Sequence, residues 1–221
     1  CSFVLLVSLL SSSTVAAADK DKEKDNSLLQ SKTLKNLKFR NLGSAFKSGR
    51  ISDIEIDPEN KNIWYVGVSS GGVWKTVNAG TTWNPIFDGE KVFAVGTVSL
   101  DPQNSKTVWV GTGENNGGRH ISFGDGVYRS RDGGQTWKNM GLKKSEHISE
   151  IIVHPKNSDI VWVAAQGPLW SKGGERGVFK TIDGGKKWQQ VLGDKEWTGV
   201  TDLIIDPNDT NTLYAATWQR H

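Results

Sequence analysis

The sequence is poor in three features, and each shortage excludes a class of protein. A single cysteine, Cys1, occurs in 221 residues, so a disulfide scaffold is excluded. Basic and acidic residues nearly balance, at 27 against 24 with a formal net charge of +3, so no nucleic-acid partner is expected. The main apolar run, residues 3–10, is about half of the ~20 residues that cross a membrane, so no membrane span is expected.

The first 38 residues do not have the pattern of a folded domain. The apolar run and the small residues after it are typical of a secretory signal peptide over residues 1–18, with its basic start missing. Its removal takes Cys1 away, so we expect a protein without thiol chemistry that is secreted, periplasmic or held at the cell surface. Residues 19–38 begin with alternating Asp and Lys, which predicts a charged linker.

Glycine and tryptophan are abundant, at 25 and 10 residues. Glycine supplies tight turns and tryptophan fills the space between sheets, so the composition favours an all-β protein. A repeat supports this interpretation, because four prolines stand 44, 53 and 52 residues apart (Pro58, Pro102, Pro155 and Pro207). An apolar residue precedes each proline by seven positions: Ile51, Val95, Ile148 and Val200. An aromatic residue follows each by seven: Tyr65, Trp109, Trp162 and Tyr214.

A second aromatic residue opens a further strand in each unit, and a tryptophan follows nine residues later. These pairs are Trp74 and Trp83, Tyr128 and Trp137, and Phe179 and Trp188. Only the connection between the two aromatic residues varies, at 9, 19 and 17 residues. Four strands per unit predict an all-β β-propeller built of four-stranded blades, since a two-layer sandwich does not repeat a four-strand unit in register.

The predicted propeller occupies residues 39–221 and comprises three complete blades and part of a fourth. The blades are expected at about 50–88, 94–142, 147–193 and 199–221. Three and a half blades do not close a ring, so we expect a fragment of a seven- or ten-bladed propeller that needs the remainder of its own chain.

A short motif lies between the third and fourth strands of each unit, and we call it the turn motif. It reads Ser/Thr-x-Asp/Asn-x-Gly-x-Thr/Lys-Trp, and its main residues are Asn78, Gly80 and Trp83, then Asp132, Gly134 and Trp137, then Asp183, Gly185 and Trp188. The carboxylate or amide accepts turn N–H groups, and the glycine adopts a positive φ. We therefore predict a structural role for the turn motif.

Recognition is expected in the loops whose length varies, which join the second and third strands. The ligand-binding candidates in these loops are Glu114, Asn115, Asn116, Arg119, His120, Gln166, Trp170 and Arg176. The alternative for each is a local turn or, for Glu175 and Arg176, a solvated ion pair. His120 and His147 lack metal-ligand spacing, so we predict surface histidines, no metal site and no cofactor.

Three acids occupy one register position at the start of the first strands. Asp53, Glu150 and Asp202 share this position with Thr97, and each acid follows a hydroxyl residue. A ring of carboxylates there is able to bind cations or sugar hydroxyls, which makes Asp53 and Asp202 further ligand-binding candidates. The alternative, which we favour, is that each acid accepts backbone N–H groups of its own blade-to-blade crossing.

The turn motif resembles the Asp-box, or bacterial neuraminidase repeat. The stretch from Phe39 onward resembles the N-terminal part of large secreted bacterial proteins with a sortilin-type propeller. The wider group is similar to sortilin receptors, whose ten-bladed propeller binds peptides, and to xyloglucan-cleaving glycoside hydrolases built of two seven-bladed propellers. This resemblance implies a propeller that binds a peptide, a protein or a polysaccharide.

One residue of the xyloglucanase pattern is testable in this sequence. The pattern has a general-base aspartate in the run that leads into the third strand of the first blade, and this sequence has Ser69 there. Serine does not replace a carboxylate that activates water. We therefore expect an exported binding protein for peptide or polysaccharide. The alternative is a glycoside hydrolase that uses Glu114, Asp53 or Asp202 with acids elsewhere, and a scaffold that binds another protein also fits.

Overall fold

The computed structural model describes residues 49–115, 121–194 and 196–219, and all of these belong to the unit Leu42–His221. Every regular element in these ranges is a β-strand. The strands are β1 Ile51–Ile56, β2 Trp64–Val68, β3 Gly72–Thr76, β4 Asn84–Pro85, β5 Val95–Asp101, β6 Asn104–Thr112, β7 Val127–Ser130, β8 Lys138–Gly141, β9 Ile148–Val153, β10 Val161–Ala165, β11 Gly177–Thr181, β12 Gln189–Leu192, β13 Thr198–Ile205 and β14 Leu213–Gln219.

The strands form four antiparallel sheets, which we call blades 1 to 4. Blades 1, 2 and 3 each pair four consecutive strands in chain order, β1–β4, β5–β8 and β9–β12, and blade 4 pairs β13 with β14. The first strands of successive blades contact one another, so β1, β5, β9 and β13 lie innermost. The predicted all-β propeller architecture is confirmed. The predicted segments 1–18 and 19–38 lie outside the described residues.

The hydrophobic core lies between neighbouring blades rather than within one blade. Tyr65 and Phe87 of blade 1 pack with Val95 and Tyr128 of blade 2. A second cluster joins blade 2 to blade 3, and its members include Trp109, Met140, Ile148, Ile151 and Phe179. Each blade therefore buries its apolar faces against the next, which fixes the order of the blades around the inner strands.

A β-bulge recurs at one register position in the first strand of every blade. The extra residues, which have no partner in the pairing, are Ser52, Gly96, Ser149 and Thr201. A bulge bends its strand and changes the direction of the following side chain. The residue after the bulge is one of the four register residues predicted from the sequence, so the bulge positions the three acids and Thr97.

Pairing register defines two ends of the blades. Ile51 at the start of β1 pairs with Val68 at the end of β2, and Val68 pairs with Gly72 at the start of β3. The starts of the first strands and the variable connections therefore share one end, which we call the loop end. The turn motifs lie at the opposite end, which we call the motif end.

The turn motif binds its acid entirely within the turn. Asp132 accepts the backbone N–H of Thr136 at 2.9 Å, the Thr136 hydroxyl at 2.6 Å and the Ser130 hydroxyl at 2.7 Å. These bonds, above all that of the Thr136 hydroxyl, lower the pKa of the Asp132 carboxyl. Asp183 and Asn78 form the corresponding backbone bonds in the other two copies. The carboxylate therefore organises the turn.

Side chains that recur at fixed positions of the repeat also form hydrogen bonds between the blades. The indole N–H of Trp137 donates to the backbone carbonyl of Ile86 in the preceding blade, at 2.7 Å. Arg129 lies over the ring of Trp109 and donates to the carbonyl of Gly184 in the following blade, at 2.5 Å. The equivalent bonds join Trp188 to Met140 and Lys75 to Gly133. These recurring side chains therefore tie each blade to its neighbours.

Candidate functional site

The first loop at the loop end is short and buries Ser69. The Ser69 backbone N–H donates to the carbonyl of Arg50 at 2.9 Å, and its side chain is 1% exposed. The Ser69 hydroxyl has no hydrogen-bond partner among the described residues. A buried neutral hydroxyl at the position of the expected general base does not deprotonate water at neutral pH.

Glu114 in the second loop is buried and paired. Its carboxylate forms an ion pair with Arg50, whose side chain is half exposed, and accepts the backbone N–H of Ser122 at 3.3 Å. Only 3% of Glu114 is exposed. Arg50 is therefore the exposed member of this ion pair, and Glu114 is its buried counter-charge.

Asn115 and Gln166 tie blade 2 to blade 3 at the loop end. The Asn115 amide donates to the carbonyl of Gly96 at 3.1 Å and to that of Ser149 at 3.4 Å. The Gln166 amide donates to the carbonyl of Asn115 at 2.8 Å. Asn115 thus joins the inner strands β5 and β9, and Gln166 joins the third loop to the second. The ligand-binding role of both stays a prediction. Asn116, Arg119 and His120 lie outside the described residues.

His147 is a core residue, which corrects the prediction of a surface histidine. It is fully buried beside the second loop, and its Nδ1 lies 2.9 Å from the carbonyl oxygen of Glu114. Its ring contacts that of Phe123, with the ring centres 5.5 Å apart. Contacts between distant segments bury this histidine, and a single sequence gives no sign of them.

Arg176 organises the third loop from inside. Its guanidinium donates to four backbone carbonyls at 2.7–2.9 Å, and the residue is 1% exposed. The carbonyls belong to Pro168, Ser171, Gly173 and Trp197. The predicted solvated pair of Glu175 and Arg176 does not form, because Glu175 accepts the backbone N–H of Lys144 at 2.7 Å and Arg176 is buried.

Exposed aromatic side chains concentrate at the loop end. Five aromatic residues of the described ranges are strongly exposed, and four of them lie at this end: Phe93, Phe123, Trp170 and Trp218. Trp170, on the third loop, is the most exposed of them at 72%. The fifth, Tyr214, lies at the motif end. Most of the strongly exposed aromatic side chains of the described ranges therefore lie at the loop end.

The three acids of the first strands accept the N–H group of the next residue. Asp53 and Asp202 do so at 2.8 Å and Glu150 at 3.2 Å. Asp53 also accepts the hydroxyl of Thr97 and the N–H of Val98 in blade 2, both at 2.8 Å. The favoured alternative placed the accepted N–H groups in the blade-to-blade crossings. They belong instead to the first strands, where the bulge releases them from the sheet.

Two glutamates of the inner strands, Glu150 and Glu55, have raised pKa values. Burial, followed by the negative charge of Asp53 and then that of Asp202, raises the pKa of Glu150 to about 7. Burial and the charge of Asp53 also raise the pKa of Glu55 to about 7. Glu55 was not predicted, although its position two residues after Asp53 places it on the same face of β1. The described residues contain no group of three or more acids, histidines or cysteines arranged for a metal ion.

We predict that Glu150→Gln stabilises the chain at pH 8 and has no effect at pH 4. The pKa of Glu150 is raised from 4.5 unfolded to about 7 folded, so the folded state holds more protons between these values. Stability therefore falls as the pH rises from 4.5 through 7, and the neutral variant avoids this loss. Melting temperatures at pH 4, 6 and 8 measure the difference.

Glu59→Gln is the matched control, since Glu59 is an exposed glutamate at the motif end of blade 1. Its difference from the parent chain is expected to be the same at all three pH values. A Glu150→Gln variant that loses stability relative to the parent as the pH rises would contradict the assigned direction.

The sequence of this chain is similar to those of sortilin-type and xyloglucanase proteins. The Sortilin-Vps10 family, described as sortilin, neurotensin receptor 3, matches residues 125–220. The xyloglucanase of Hypocrea jecorina is 27% identical over 187 residues, which covers 78% of this chain and 21% of that enzyme. Xyloglucanase Xgh74A of Acetivibrio thermocellus is 25% identical over 185 residues, which covers 73% of this chain and 20% of that enzyme.

The solved structure of a GH74 xyloglucanase from Xanthomonas campestris superimposes with a TM-score of 0.58 at 17% identity. The match covers 76% of this chain and 26% of the enzyme. The chain thus spans about a fifth of the length of the xyloglucanases that match its sequence. The resemblance to sortilin-type and xyloglucanase-like propellers is confirmed. Among the described residues, no helix is long and apolar enough to cross a membrane.

Proposed function

We propose, from the likeness to sortilin-type and xyloglucanase-like propellers, that the loop end binds a polysaccharide of the xyloglucan class in an exported protein. The observation that carries the proposal is the concentration of exposed aromatic side chains at this end, with Trp170 at 72% exposure. Flat apolar rings suit the faces of sugar rings, and the rigid loops around them hold the rings in place. In this proposal the turn motif is an Asp-box that supports the blades.

The third loop is suited to present Trp170 at little entropic cost. Arg176 fixes the carbonyls of Pro168 and Ser171 on either side of it, at 2.9 and 2.8 Å. The Glu175 N–H donates to the carbonyl of Lys144 at 3.0 Å, which anchors the far side of the loop to the crossing between blades 2 and 3. A preorganised loop loses less conformational entropy when a ligand binds.

We predict that Trp170→Ala weakens binding of xyloglucan by about tenfold, which is the size expected for an aromatic anchor. The indole supplies the stacking surface, and its removal leaves the loop backbone in place because Arg176 holds it. Isothermal titration with xyloglucan oligosaccharides measures the change. Tyr214→Ala removes another strongly exposed ring, at the motif end, and is expected to leave affinity unchanged. Equal losses of xyloglucan affinity in the two variants would contradict the assignment of the binding surface to the loop end.

The alternative function is hydrolysis of the same polysaccharide. It is favoured by the inner carboxyl groups, because Glu150 with a pKa of about 7 is able to donate a proton near neutral pH. We expect the chain to release no reducing ends from xyloglucan, since Ser69 replaces the base and Glu114 is paired with Arg50. Release that Glu150→Gln or Glu114→Gln abolishes, and that Asp132→Asn at the motif end retains, would establish the hydrolase instead.

A further inference from the structure

A groove at the motif end lies between blades 1 and 2 and is nearly neutral. Blade 1 forms one side of it, and the turn motif of blade 2 forms the other. Among the described residues that line it, Lys75 is the one base and Asp88 is the one acid. Its uncharged lining includes Val77, Asn84 and Gln135. This groove shows which positions of the repeat face the gap between two blades.

Four of the corresponding positions between blades 2 and 3 hold basic residues. The spacing within the repeat is constant here, so each lining residue has an equivalent in the next unit. The equivalents are Arg129 for Lys75, Arg131 for Val77, Lys138 for Asn84 and Lys186 for Gln135. We call Arg129, Arg131, Lys138 and Lys186 the basic cluster. One cation between the first two blades is thus replaced by four between the next two.

Contacts hold the basic cluster together across the gap. Arg129 and Lys138 are direct partners in the pairing of β7 with β8, so their side chains lie on the same face of blade 2. The Arg129 guanidinium donates to the carbonyl of Gly184, in the turn motif that contains Lys186. Burial, followed by the positive charge of Arg131, lowers the pKa of Arg129, so Arg131 lies near it. The other three cations are exposed to solvent.

No carboxylate forms an ion pair with the basic cluster in the part of the chain that the structure describes. The two ion pairs found there belong to the loop end. Three acids lie near the cluster. Asp132 and Asp183 accept donors of their own turns, and Asp159 acts on Arg129 only through space. The cations are therefore left to interact with an anion from outside.

Repulsion within the basic cluster makes blade 2 unlike its neighbours. Like charges that lie directly opposite in an antiparallel pair destabilise it, and Arg129 lies opposite Lys138. The equivalent pairs hold one charge each, and they are Lys75 with Asn84 and Lys180 with Gln189. A local conflict of this kind is typical of functional positions. A bound anion would relieve it.

The shape of the gap favours a slender polar chain as the ligand. Arg129 is partly buried over the ring of Trp109, where a single chain reaches it and a flat bilayer does not. The outer strand β8 has four residues, and its pairing is interrupted between Val127 and Tyr128, so it offers little edge to a peptide strand. The exposed amides of neighbouring glutamines are suited to hydroxyl groups.

We propose that the basic cluster binds an acidic polysaccharide that carries a carboxylate on each sugar. Guanidinium and ammonium groups form charge-assisted hydrogen bonds with carboxylates, and a row of cations matches a row of anions. This site lies at the motif end, so it is separate from the surface proposed above for xyloglucan.

The test compares two ligands and two triple variants. The ligands are polygalacturonate and the same polymer with its carboxylates methyl-esterified. One variant, Arg131→Gln with Lys138→Gln and Lys186→Gln, removes the exposed charges of the cluster. The control, Lys61→Gln with Lys91→Gln and Lys143→Gln, removes three exposed charges elsewhere. Arg129 is kept, because it joins the blades.

Isothermal titration at two salt concentrations measures the affinities, and melting temperatures show that both variants fold. The parent chain is expected to bind polygalacturonate at least about tenfold more tightly than the ester, and more weakly as the salt rises. The cluster variant is expected to lose at least about tenfold in affinity and the control less than about twofold.

Three results would overturn the proposal. The first is equal affinity of the parent chain for the two polymers, or binding of neither. The second is an equal loss in the two variants, since the overall charge would then explain binding. The third is tighter binding of polyglutamate or of phosphatidylglycerol vesicles than of polygalacturonate. Trp170→Ala is expected to leave polygalacturonate affinity unchanged, so failure at this site and failure of the proposed function are distinguishable.

Discussion

Substitution of Gly113 by alanine is expected to destabilise the chain by at least about 4 kcal/mol, a loss that single substitutions rarely reach. Gly113 opens the second loop with a φ of 90°, and an added Cβ would overlap the carbonyl oxygen of Glu146. The backbone of Gly113 cannot withdraw, because its N–H donates to the carbonyl of Ala94 at 2.9 Å. Glu146 is equally fixed, since its carbonyl accepts the N–H of Gly124 at 2.7 Å.

Two other glycines separate the steric effect from the conformational one. Gly173 has a φ of 83° but open space around its Cα, so Gly173→Ala is expected to cost only the left-handed strain of roughly 1–2 kcal/mol. Gly89 has open space and no positive φ, so Gly89→Ala is expected to be neutral. Thermal unfolding ranks the three variants. A Gly113→Ala melting temperature within a few degrees of that of Gly173→Ala would show that the second loop yields easily.

The repeat explains why the fold was predictable from the sequence. Interblade packing requires an apolar or aromatic side chain at the same place in each blade, so the spacing of Pro58, Tyr65 and Trp83 recurs and identifies four strands per unit. The loops of the loop end were also predictable, because the connection between the second and third strands varies in length while the other spacings of the repeat stay nearly constant. The strands and their order along the chain could be predicted because they depend on the spacing of residues that are close in sequence.

The roles of individual loop side chains were not predictable in the same way. Arg176 and Glu114 have the sequence context of exposed loop residues, yet both are buried by partners far along the chain: Trp197 for Arg176 and Arg50 for Glu114. The β-bulge was not predicted either, and its extra residues Ser52, Gly96, Ser149 and Thr201 share only small size. Burial of a polar loop residue depends on tertiary contacts, which a pattern of hydrophobicity does not contain.

Arg129 and Lys75 illustrate an intermediate case. Their recurrence after the second aromatic residue was visible, but their contacts across the blades were not. Each basic side chain lies over the aromatic ring of the neighbouring strand and reaches a glycine carbonyl in the next turn motif. The fixed distance between the blades explains why the basic residue recurs at the same position of each unit.

Replacement of Arg176 by glutamine is expected to destabilise the chain by about 3 kcal/mol or more, since buried carbonyls that lose a donor cost about 1–3 kcal/mol each. Four carbonyls depend on this guanidinium, and glutamine is too short to reach all of them. Amide hydrogen exchange of residues 166–176 should accelerate, because the loop loses the side chain that holds it. Thermal unfolding gives the global loss.

Arg131→Gln removes the same charge from an exposed position and is expected to change neither measurement. The comparison distinguishes two roles for Arg176, because a residue that only contacts ligand leaves the stability of the free chain unchanged. If Arg176→Gln melts with the parent chain but binds xyloglucan poorly, the guanidinium serves the ligand alone and the loop is held by Glu175 and its bond to Lys144. If it melts early and exchanges rapidly over 166–176, the loop that presents Trp170 depends on Arg176.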